Sequence, residues 1–188
     1  MKKIILISLF SIAVNYLTAQ EVAEYFTANL DAYTGIWEYA DDTCTFRIYL
    51  KKGKSYYHYG PLSHEKVYGG HYIARNGIVI TDLKEAVKQA IEEPQIGMTL
   101  SASNFEYEEN LVNPNVLRFV FGDDLKDKMG GGLLTLISGN PMQLRWQILK
   151  ESERVYYWEV GVDPEPVIHE GWTVPEDVIL TKISDVVQ

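Results

Sequence analysis

The sequence predicts a mostly β protein, an antiparallel up-and-down barrel of about eight to ten strands with one inserted amphipathic helix. Three observations lead there. Apolar side chains recur at every second position along many short segments. Turn residues separate those segments at short intervals, so consecutive strands pair as a meander. A meander of that length leaves two raw edges unless it curls and closes on itself.

Residues 35–40 read as the first strand. Residues 43–50 run T-C-T-F-R-I-Y-L, with Cys44, Phe46, Ile48 and Leu50 on one face and Thr45, Arg47 and Tyr49 on the other. Lys52-Gly53 is expected to turn the chain, with residues 55–59 as the returning strand. Residues 66–74 lead to Asn76-Gly77, a tight-hairpin signal, and residues 77–81 return from it. The period then changes. Leu83, Ala86, Val87, Ala90 and Ile91 follow helical spacing, Asp82 with Glu85 resembles a capping box, and Pro94 stops the run. The apolar stripe of this helix is expected to cover a barrel end or a sheet face. Further strands are expected at 96–102, 115–121, 133–138, 143–149, 154–160 and 178–183. Residues 139–142 read as a hairpin connection, 163–175 as an acidic loop, and 21–30 as a weaker helix.

The chain opens Met1-Lys2-Lys3 and runs apolar over residues 4–14. That stretch is too short to span a bilayer. With Ala19 before Gln20, it reads as a secretory signal over residues 1–19, leaving one domain at 20–188. No cysteine stands at the cut to take a lipid anchor, and no later segment reads as a membrane helix. The expected product is exported and soluble, in a periplasm or outside the cell. Without Lys2 and Lys3, the 17 basic residues become 15 against 26 acidic ones, a net charge of −11. Such a surface repels phosphate backbones, so nucleic acid is not an expected partner. Cys44 is the single cysteine. No intrachain disulfide can form, and the fold must rest on hydrophobic burial. On its strand, Cys44 reads as a small buried apolar residue.

At Gly35-Ile36-Trp37 the chain resembles the lipocalin and fatty-acid-binding superfamily, where a G-x-W motif opens the first strand and its Trp closes one barrel end. The stretch Leu30-Asp31-Ala32-Tyr33-Thr34-Gly35-Ile36-Trp37 is similar to a family of secreted Bacteroidota proteins known only as a domain of unknown function. The similarity continues at Asn76-Gly77-Ile78, at Gln143-Leu144-Arg145-Trp146 and at Val178-Ile179-Leu180-Thr181-Lys182. Two features depart from lipocalins. The last strand offers Lys182 where those proteins often set an Arg across the motif Trp, and the helix after Asp82 interrupts the strands instead of following the eighth. The resemblance implies secretion and a barrel-like fold. It implies no activity and no functional residues.

No catalytic motif is found, and the protein is expected not to be an enzyme. His58, His64, His71 and His169 show no metal-ligand spacing; they read as surface or rim residues, and no cofactor is expected. Asp41-Asp42, Glu108-Glu109 and Asp123-Asp124 read as solvated turns. Gly130-Gly131-Gly132 lacks the Lys-Ser/Thr of a phosphate loop and reads as a flexible hairpin. The aromatic content stands out, with 13 tyrosines and four tryptophans. Trp37, Tyr39, Trp146, Tyr156 and Trp158 fall on strands and are the candidate lining of a cavity. Three functions are weighed on this basis. The preferred one is a barrel that binds a small apolar or amphipathic molecule. The second is a filled barrel that works through its surface. The third is a hydrolase, motivated only by compartment and scattered acids. Oligomeric state is not legible.

Overall fold

The computed structural model describes residues 29–56, 63–89, 100–103, 115–155 and 169–187. A turn of 3-10 helix, Leu30–Tyr33, leads into β1 (Gly35–Ala40) and β2 (Cys44–Tyr56). Next come β3 (Ser63–Arg75), β4 (Ile78–Asp82), the helix α1 (Lys84–Gln89) and β5 (Leu100–Ser103). The rest comprises β6 (Val116–Asp123), β7 (Lys128–Ile137), β8 (Gln143–Ile148), β9 (Arg154–Val155) and β10 (Asp177–Ser184).

Eight strands pair around a ring in the order β1, β2, β3, β5, β6, β7, β8, β10 and back to β1, with every pairing antiparallel. This is the expected up-and-down arrangement. Closure leaves the ring no raw edge. The two remaining strands are branches: β4 pairs one end of β3, and β9 pairs one end of β7. Both branch points lie at the end of the barrel that carries His71, Asp123 and Lys128, so the wall splays there.

Alternation decides which side chains go in. Along β6, Leu117, Phe119 and Phe121 are buried while Arg118 and Val120 are exposed. Along β8, Leu144, Trp146 and Ile148 are buried. Along β2, Cys44, Phe46, Ile48 and Leu50 face inward, as their period of two requires. Cys44 is buried, and burial pushes its thiol pKa up. The outer wall carries polar ladders. Glu38, Arg47 and Tyr72 are register neighbours across β1, β2 and β3, and the Arg47 guanidinium meets both the Glu38 carboxylate and, at 4.9 Å, the Tyr72 ring.

Several sequence expectations are corrected. Lys52-Gly53 makes no turn: β2 runs unbroken to Tyr56 and pairs β3 along its whole length. Gly53 instead makes room for Tyr68 on the neighbouring strand, whose ring would lie 2.9 Å from a Cβ there. Gly130-Gly131-Gly132 is not a hairpin but the interior of β7. Phe121 and Phe119 lie opposite Gly130 and Gly132, and a Cβ on Gly132 would land in the Phe119 ring. Asp123 is not a solvated turn residue but a buried one at the end of β6. His71 is not at the surface either; it is buried on the inner wall.

The described part of the helix, α1, is shorter than the 82–94 pattern. Asp82 closes β4 and accepts a hydrogen bond from the Lys84 amide (2.9 Å), while Glu85 pairs with Lys88. Val87 is fully buried, and it and Leu83 press on Gly70, so α1 covers the outer face of β3. Residues 21–28, 57–59, 90–99, 108–109 and 156–168 lie outside the described residues. Among the described residues no helix is long and apolar enough to cross a membrane.

Candidate functional site

The first candidate, Trp37, is fully buried near one end of the barrel. Its indole Nε1 donates to the Tyr33 carbonyl (2.8 Å), which ties the 3-10 turn across that end. Lys182 places its ammonium 5.3 Å above the Trp37 ring and pairs with Asp185. A lysine thus supplies the cation on the motif Trp. Gly35 opens β1 at φ +116°, where only a residue without Cβ escapes the Ser184 carbonyl.

Trp146 is the hub of an aromatic cluster. Phe119 stacks on it at 4.3 Å, and Phe46 and Phe121 meet it edge-on at 5.3 and 5.4 Å. Tyr39 is half-buried, packs on the edge of the core, and donates its hydroxyl to Asp41 (2.7 Å). Asp41 also accepts from Thr43 and Cys44, and these donors hold its carboxyl well below the usual range. Trp37 and Trp146 therefore share one core, whereas Tyr39 sits at its rim. Tyr156 and Trp158 lie outside the described residues.

These side chains fill the space they face. Trp37, Phe46, Ile48, Leu134, Leu144, Trp146 and Leu180 are each 0% exposed. A cavity wide enough for even a water molecule would leave accessible area on its walls. Close-packed interiors of this kind behave as cores.

The splayed end holds residues that the strand pattern did not single out. His169 is exposed. A segment after it drops Trp172 and Val174 into the mouth of the barrel. The Trp172 ring tilts against Phe121 at 5.9 Å and lies over Gly130, where a Cβ would be only 2.8 Å from its edge. The buried Lys128 ammonium sits 4.4 Å from the same ring. It is neutralised by Glu153 and also donates to the His169 carbonyl (2.9 Å). Asp123 accepts from the Thr173 amide (2.6 Å) and hydroxyl (2.7 Å). Below this layer His71 meets Phe121 edge-on at 5.4 Å; burial lowers its pKa to about 4, against the opposing pull of Asp123.

Chemically, the buried polar groups here are paired with each other and with backbone, which is how buried charge is normally tolerated. Among the described residues no three His, Cys, Asp or Glu side chains converge on a metal position.

No curated protein and no solved structure matches the chain. A family model matches it over residues 1–183, and the protein belongs to the family of unknown function DUF6705.

Proposed function

We propose that this domain is a non-catalytic, filled barrel that works through its outer surface. One observation carries the reading: among the described residues, Trp37, Phe46, Ile48, Leu134, Leu144, Trp146 and Leu180 are fully buried, and Phe119 stacks on Trp146 in their midst. Trp37 and Trp146, two of the candidate lining residues, instead belong to the core, and among the described residues Tyr33 covers one barrel end and Trp172 the other. The surface supports the same reading, because Ile78, Val79 and Ile80 on β4 stand in the open at 70, 54 and 39% exposure. Lys2-Lys3, the apolar residues 4–14 and Ala19 support export to a periplasm or the exterior.

The rival reading, a carrier of a small apolar or amphipathic molecule, makes the opposite prediction about mass. Native mass spectrometry of the protein purified without denaturation should give the bare chain. A small molecule found at one per chain would overturn the filled-barrel reading in favour of the carrier.

A further inference from the structure

We infer that residues 169–176 form a detachable plug, able to leave the barrel mouth while the eight-stranded ring stays intact, and that its departure opens a slot for a flat, neutral aromatic group. The reasoning starts from how the segment is held. Among the described residues, its backbone makes one bond to a ring strand's backbone, from the Ile148 amide to the Glu176 carbonyl. Its other ties come from side chains. Arg75 donates to the Thr173 carbonyl (3.0 Å), Lys126 to that of Glu170 (3.0 Å), and Trp146 Nε1 to that of Pro175 (2.8 Å). Asp123 and Lys128 hold Thr173 and His169 as described. None of these is a ladder bond. Breaking them leaves the pairings of β6 with β7 and of β7 with β8 untouched.

The plug also spans the place where the wall is weakest. β3 gives up its pairing with β5 to take β4, and β7 gives up its pairing with β8 to take β9, at the same end. Thr173 bridges the gap, bound to Arg75 at the end of β3 and to Asp123 at the end of β6. Segments with few ladder bonds open locally at a fraction of the global free energy.

What opening uncovers is shaped by Trp172 itself. Gly130 gives a flat floor, Phe121 a side wall, and Lys128 a cation facing the ring. Because Glu153 already neutralises Lys128, the slot calls for the negative face of a ring and not for an anion.

Residue-resolved hydrogen exchange by NMR on the intact protein tests the plug. The Thr173 amide, bonded only to a side chain, should exchange at least roughly 100-fold faster than the β7–β8 ladder amides, and independently of low urea. Exchange of Thr173 at the ladder rate, with the same urea dependence, overturns the proposal, because the plug then opens only when everything does. Trp172→Ala tests the slot with indole as the probe. The variant should keep the wild-type far-ultraviolet circular dichroism and bind indole one to one, while the wild type binds none. A folded variant that takes up no indole, or a variant that cannot fold, counts against a detachable plug over a preformed slot.

Discussion

His71 is the residue on which acid should act first. It lies on the inner wall at 6% exposure, and burial lowers its imidazole from an ordinary 6.5 to about 4. Between those values the unfolded chain takes up a proton that the native barrel refuses. Stability should therefore fall as pH drops from 6.5 towards 4 and lose no more from this group below that, by up to roughly 3 kcal/mol in all. Urea midpoints measured across this window should show the slope, and His71→Gln should flatten it; an unchanged slope would show that another group sets it. The Asp41 carboxyl works in a lower window. Its donors hold it ionised in the folded state, so its contribution is present above the ordinary carboxylate range and fades as pH falls through and below it. Gly132 shows why one residue type can matter without chemistry: the Phe119 ring occupies the space of its missing side chain.

At the scale of elements, the β3–β4 hairpin carries isoleucines with opposite fates. Ile73 points into the core and is fully buried, whereas Ile80, on the branch strand, is 39% exposed. Ile80→Lys should change stability by no more than about 0.5 kcal/mol and reduce any self-association of the protein, since a lysine blunts an exposed strand. Ile73→Lys should abolish the cooperative folding transition, because it buries an unpaired charge. Thermal melts and light scattering on the two variants make the comparison. The outcome separates β4, a branch off the wall, from β3, which is part of it. Reading β2 as one strand also belongs here. Lys52-Gly53 reads as a turn because a strand facing water on one side is polar there too, and Gly53 owes its place to Tyr68.

For the whole molecule, closure is the governing fact. β10 pairs β1 on one side and β8 on the other, so it is the last stave of the ring. A chain ending at residue 176 keeps seven of the eight ring strands and should nevertheless fail to fold, because β1 and β8 lose their partner and the core loses Leu180. Near-ultraviolet circular dichroism of the truncated chain, with its tryptophans as reporters, checks this. A native-like spectrum would mean that the remaining sheet holds by itself.

Much of this was legible in the chain. Leu117, Phe119 and Phe121, or Leu144, Trp146 and Ile148, announce an inward face because a strand alternates sides by covalent geometry alone. Asn76-Gly77 announces its hairpin because the turn requires φ > 0, and Asn76 adopts 50° and Gly77 77°. The burial of His71, Asp123 and Lys128 was not legible. Polarity argues for the surface, and only partners far along the chain, such as Thr173 for Asp123 and Glu153 for Lys128, make their burial tolerable. The role of Trp172 was hidden for the same reason, since a loop has no period from which to read a direction. Local chemistry thus determined the strands, their inner faces and the tight turn. Tertiary structure alone decided that Trp37, Trp146 and Trp172 share one core and that His71, Asp123 and Lys128 are buried beside it, because packing depends on which distant side chains meet.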